Sequence, residues 1–193
     1  MADIRESLFS YISYTPIPFL LAMVLFAKPT WETMAVGAAI ALCGEAMRFW
    51  GVAYAGSLTR VTGSVGAPEV VVAGPYAYTR NPLYIGNIMM YTGVGIMANA
   101  LAPWLVIVTF IYFAVQYSMI VSLEEEFLEK EFGDEYLQFK KVVPRFFPRL
   151  APNRVPAQEH QKPNWAEAFR SERRTFQAIL IMMVLLVAIW YWR

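Results

Sequence analysis

Five apolar stretches, each close to the length a bilayer demands, limit what this chain can become. They run roughly from Leu8 to Ala27, Thr33 to Gly56, Leu83 to Ala98, Ala102 to Ser122 and Phe176 to Trp192. A helix crosses the hydrocarbon core with about 20 residues at a rise of about 1.5 Å each, so five spans use about half the chain. The 193 residues then leave no room for a second globular domain with its own core. Strict two-residue alternation is missing from all five, which disfavours a membrane β-barrel. The expected fold is all-α: a polytopic membrane helical bundle of five transmembrane helices, one domain over residues 1–193. Composition agrees, with 58% hydrophobic and 16% charged residues, against about 25% charged in soluble domains.

The stretches differ in their internal marks. The first contains Pro16 and Pro18 and ends at Lys28-Pro29. Because Asp3 and Glu6 interrupt a basic start and no small-x-small site follows, it is read as a span, not a cleaved signal peptide. The third and fourth are separated only by Asn99 to Pro103 and read as a helical hairpin. The last closes with Trp190, Tyr191 and Trp192, aromatics that settle at a bilayer interface.

Orientation follows from the basic residues. If the segment from Leu123 to Thr175 is cytoplasmic, that side collects thirteen of the sixteen Lys and Arg, the opposite side only Lys28 and Arg193, and Arg48 lies inside a span. The positive-inside rule then places the N-terminus and the polar face in the cytoplasm and the C-terminus across the membrane.

Two polar blocks share that face. One is the loop from Ser57 to Asn81, punctuated by Gly63, Gly66, Pro68, Gly74 and Pro75; Arg60 lies in it. The other starts with a helix from Leu123 to about Lys141, broken near Gly133, and continues through Val143-Pro144-Arg145-Phe146-Phe147-Pro148. A linker over 149–163 follows. Asn164 with Glu167 reads as a helix N-cap and its reciprocal acid, so the last helix, about 165–192, begins about ten residues before its apolar part. Trp165, Phe169, Arg170, Arg173 and Arg174 in its first turns suit an interface with an anionic leaflet.

Several chemistries are excluded. A single Cys43 and a single His160 allow no internal disulfide, no Cys/His zinc cluster and no many-histidine iron centre, and make a Ser-His or Cys-His hydrolase improbable. There is no phosphate loop and no dinucleotide fingerprint. Gly93-Val94-Gly95 reads as close helix packing. The basic residues of the cytoplasmic segment are nearly balanced by acids, which argues against nucleic-acid binding.

Two features carry chemistry. Glu45 and Arg48, three apart, share one face of the second span with Gly37, Ala41, Gly44 and Gly51. Ionisable groups at this depth are costly unless paired, so they form either a register-fixing pair or one wall of a substrate cavity. The second feature joins the two blocks: the hairpin brings the basic, aromatic loop from Ala73 to Gly86 next to Glu124-Glu125-Glu126. This is the raw material of a site for a small zwitterion, although each residue could alternatively be an interfacial anchor.

The run Gly74-Pro75-Tyr76, Arg80-Asn81-Pro82, Tyr84 and Gly86, then Glu125-Glu126, Phe132-Gly133-Asp134-Glu135-Tyr136 and Val143-Pro144-Arg145, resembles the membrane methyltransferases. That superfamily includes the isoprenylcysteine carboxyl methyltransferases and the phosphatidylethanolamine N-methyltransferases. The match covers about Gly74 to Pro148. The resemblance implies S-adenosylmethionine as methyl donor, with Tyr76, Arg80, Asn81, Pro82, Tyr84, Gly86, Glu125 and Glu126 binding it and Tyr136 and Arg145 closing the pocket. The donor's methyl group is already activated, so the protein need only exclude water and align the acceptor; no metal is called for. Glu45, Arg48, Arg80 and Glu124 are the candidate catalytic residues, with Glu45, Glu124 or a nearby Tyr as acceptor of an amine proton.

Departures bear on the substrate. The prenylcysteine enzymes typically have His where Asn81 stands. They also tend to carry Arg shortly before the acidic pair, whereas no Lys or Arg occurs here between Pro103 and Glu129. A lipid or lipid-like acceptor with an amine or neutral nucleophile is therefore favoured over a carboxylate, for which Arg48, Arg60 or Arg80 could still stand in. The alternative is a non-catalytic scaffold or lipid-binding membrane protein that keeps the same shape.

Overall fold

The computed structural model describes residues 4–56 and 69–192. Arg60, with Ser57, Gly63, Gly66 and Pro68 of the first polar block, and Arg193 lie outside them. Among the described residues there are seven α-helices and two short 3-10 turns, and no strand: α1 (Ile4–Ser10), α2 (Pro16–Leu25), α3 (Trp31–Ala55), α4 (Pro82–Ala98), α5 (Trp104–Phe132), α6 (Asp134–Val142) and α7 (Trp165–Trp192).

Three of these, α3, α5 and α7, are long and apolar enough to cross a membrane. The other two expected spans are shorter. The stretch from Leu8 to Ala27 divides into α1 and α2, because Pro16 has no N–H to donate and its ring clashes with the preceding turn, so it can only begin a helix. The 17 residues of α4 rise about 26 Å, a little less than a hydrocarbon core.

The seam between α3 and α4 is the most extensive helix contact. A Cβ on Gly93 would stand 2.6 Å from the Gly37 carbonyl oxygen and the Ala41 amide nitrogen, and one on Gly44 would stand 2.6 Å from the Gly86 carbonyl oxygen. Glycines at these crossings let the two backbones touch, as read for the face carrying Gly37, Ala41 and Gly44. At one end of the bundle, Met23, Ala27, Val94, Met97 and Leu186 join α2, α4 and α7. Phe9, Phe113, Tyr117 and Ile120 fasten α1 to α5.

The other end is polar. Here α5 runs without a break through Ser122 to Phe132, and Gly133, with φ +50°, ends it and starts α6. The break expected at Gly133 is where the chain turns. Val70, Val72, Tyr76, Tyr136, Phe139 and Val143 form a small core that ties the loop before α4 to α6. The Asn164 cap also forms: Glu167 N–H donates to Asn164 Oδ1 at 3.1 Å, and Asn164 Nδ2–H to Glu167 Oε2 at 3.2 Å. The start of α7 is docked on α3 by the Asn164 amide, which donates to the Ala53 carbonyl at 2.7 Å, and by Ala168 packed with Val52 and Ala53.

Candidate functional site

Among the described residues, two clusters of charged side chains bring the expected site residues together, and they are built differently. The outer one centres on Glu125, a buried carboxylate on α5. Arg80 donates to its Oε1 from Nε at 3.0 Å and from a terminal nitrogen at 2.9 Å; Arg145 donates to its Oε2 at 3.2 and 2.5 Å. Arg80 also donates to the carbonyls of Lys140, at 3.0 Å, and Val143. Its own amide bonds the Pro144 carbonyl at 2.9 Å, and Asn81 Nδ2 donates to the Arg145 carbonyl at 3.1 Å. Pro82 is buried at the first position of α4. This clamp therefore fastens the loop before α4 to the segment after α6. Tyr136 lies buried beside it, and burial, then the charge of Glu125, pushes its phenol up, so the hydroxyl stays protonated.

Glu126 points elsewhere. One residue along a helix turns about 100°, and Glu126 pairs with Arg5 of α1 while Glu125 faces the clamp. The acidic run thus serves three directions, since Glu124 faces α4: Tyr84 donates its hydroxyl to Glu124 Oε1 at 2.7 Å.

That third direction leads to the inner cluster, set between α3, α4, α5 and α7. Arg48 is its hub. The guanidinium donates to Asn87 Oδ1 on α4 and to both carboxylate oxygens of Glu172 on α7, at 3.0 and 3.2 Å. Its Nε faces Glu45 at 3.6 Å, an ion pair too long to be a hydrogen bond. Asn87 lies beside Tyr117, which neighbours Tyr91. Tyr76 lies within electrostatic reach of both Glu124 and Arg48; its burial, then the Glu124 charge, pushes its phenol up, with Arg48 opposing. Gly86 brings α4 against Arg48, since a Cβ there would stand 2.6 Å from the Arg48 Cγ.

The expected residues therefore fall into three places. Arg80, Asn81, Glu125, Tyr136 and Arg145 meet in the outer clamp. Glu45, Arg48, Tyr76, Tyr84, Gly86 and Glu124 border the inner cluster, and Glu126 stands on the α1 side. Sequence reasoning missed Asn87, Tyr91, Tyr117 and Glu172. Asn87 offered a usable signal, as the one amide within α4 and one residue from Gly86. Glu172 offered little, because Arg170, Arg173 and Arg174 around it read as an interfacial charge band.

An all-helical bundle with three membrane-length helices and a polar centre held between them is an integral membrane protein. The chain belongs to the phospholipid methyltransferase family, whose model matches residues 32–135, from the start of α3 to the beginning of α6. Among curated proteins it is similar to the cobalt-zinc-cadmium resistance protein CzcN of Cupriavidus metallidurans, 30% identical over 70% of this chain and 61% of that protein. It is also similar to the nickel-cobalt-cadmium resistance protein NccN of Alcaligenes xylosoxydans xylosoxydans, 32% identical over 43% of this chain and 38% of that protein. The chain thus spans less than two thirds of the length of either relative. No solved structure matches it.

Proposed function

We propose that the chain is an integral-membrane methyltransferase that moves the methyl group of S-adenosylmethionine to a lipidic acceptor, with a phospholipid amine favoured. Family membership supports the donor, and the chemistry of the side chains suits it. Arg145, about a third exposed, uses one edge on Glu125 and keeps only a 3.4 Å contact to Ser122 from its remaining terminal nitrogen. It can therefore meet the donor's carboxylate. Glu124 and the tyrosines around it suit the donor's cationic groups. When bound, the donor supplies an activated methyl on a sulfonium, so the chain's work is to hold, orient and keep water out.

One observation favours an amine over a carboxylate acceptor. Arg48 is already paired with Glu45 and Glu172 and bonded to Asn87, and Arg80 with Glu125 and two carbonyls, so an anionic acceptor would compete with a carboxylate at either one. An ammonium acceptor must lose a proton before it attacks, and Glu124, Glu45 or a tyrosine beside them would take it. In this reading the whole chain is one membrane unit with its core over 74–148. It crosses five times, through α1 with α2, then α3, α4, α5 and α7, with the N-terminus and the site on the basic, cytoplasmic side. Incubating the chain with labelled donor and a membrane lipid extract tests it. Label in an aminophospholipid is the expected result, and label in a prenylcysteine or thiol would move the acceptor; none in any lipid would favour the non-catalytic module.

The relatives' names support a second reading about setting: a role in tolerance to divalent metals. Deleting the gene should then lower growth on cobalt, zinc or cadmium, and unchanged growth would remove this reading.

A further inference from the structure

The match to the family stops at residue 135, yet one of the three groups that hold Arg48 comes from beyond it. Glu172 is completely buried on α7 and receives Arg48 through both carboxylate oxygens. Its placement is not incidental to a loosely attached anchor. The Asn164 amide on Ala53, the packing of Ala168 and the ring contacts of Phe49 with Trp165 and Phe176 fix the first half of α7 along α3. Ala168, Glu172 and Phe176 are four apart, on the face turned to α3. The rest of α7 is mostly exposed, with Leu186 the buried exception among its described residues.

We propose that Glu172 is a positioning residue: α7 is a wall of the site, and its carboxylate sets where the Arg48 guanidinium stands against Asn87, Tyr117 and Tyr76. This rests on the methyltransferase reading above. Arg48 sits on a flexible stem, and its Nε has no hydrogen bond to fix it. One terminal nitrogen of Arg48 is shared between the two Glu172 oxygens at 3.0 and 3.2 Å, a charged restraint closer than Glu45 at 3.6 Å and one that a neutral amide oxygen does not supply. A misplaced guanidinium would shift the groups it touches, and shifts of about 1 Å in such centres can cost about a hundredfold in rate.

The test uses the full chain in lipid nanodiscs, comparing wild type, Glu172→Gln and Glu172→Asp. Calorimetry measures affinity for S-adenosylmethionine, and transfer of labelled methyl to extract lipid is measured per donor-competent molecule. For Glu172→Gln the expected result is donor affinity within about threefold of wild type and turnover down by about tenfold or more, a loss confined to the reacting state. Glu172→Asp keeps the charge and should recover part of that turnover. A purely structural role would lower the folded fraction while leaving turnover per competent molecule unchanged in both variants, and that result overturns the inference. Absence of donor binding in the wild type would instead overturn the methyltransferase reading, and this inference with it.

Discussion

The outer clamp and the inner cluster contain the same kinds of side chain and solve opposite problems. Around Glu125, two arginines meet one carboxylate and the leftover N–H groups go to backbone carbonyls of the segment after α5. Backbone partners belong to the fold, so the clamp mainly decides where the loop and α6 sit. Around Arg48 the partners are side chains from three different helices, with tyrosines beyond them. Side-chain partners can be rearranged by a ligand at lower cost than backbone ones. The contrast teaches that basic and acidic pairings at one end of a bundle can be tied to the backbone in one cluster and left to side chains of several helices in the other.

Substitutions can break this division, starting with the most damaging. Glu125→Ala leaves two arginines without their shared counter-ion, one of them buried; a loss of about 3–5 kcal/mol is expected, read as a lowered thermal midpoint in detergent. A loss below about 1 kcal/mol would mean that the clamp is not structural. Gly93→Ala drives a methyl group into the α3 backbone at 2.6 Å and should cost about 1–3 kcal/mol by the same measurement. Tyr84→Phe removes one hydrogen bond to Glu124, worth about 1 kcal/mol of stability, and should lower labelled-methyl transfer far more than that figure suggests. If transfer and stability fall together, the inner cluster is scaffold too. Arg5→Gln breaks a partly exposed pair with Glu126 and should change stability by less than about 1 kcal/mol, with transfer unaltered.

Much of this arrangement was legible from residues alone, for identifiable reasons. Local signals act over a few residues: Gly133 needs a positive φ, Asn164 and Glu167 cap one another, and small residues at helical spacing mark the α3 seam. The pairing of Glu45 with Arg48 belongs to the same class, being fixed by three-residue spacing on one helix. What escaped was the direction of side chains between elements. Glu125 and Glu126 read as one acidic pair, but helical rotation sends one to the clamp and the other to Arg5. Glu172 escaped because its partner is 124 residues away, and only the docking of α7 on α3 brings them together. The first apolar stretch read as one span, and Pro16 made two helices of it.

The central claim is that this polar end holds S-adenosylmethionine. Titrating that donor into the purified, monodisperse full chain by calorimetry tests it most directly. The account predicts saturable binding that Arg145→Gln weakens and Arg5→Gln leaves alone. No saturable heat from folded wild-type protein, in any detergent that keeps it monodisperse, would contradict it.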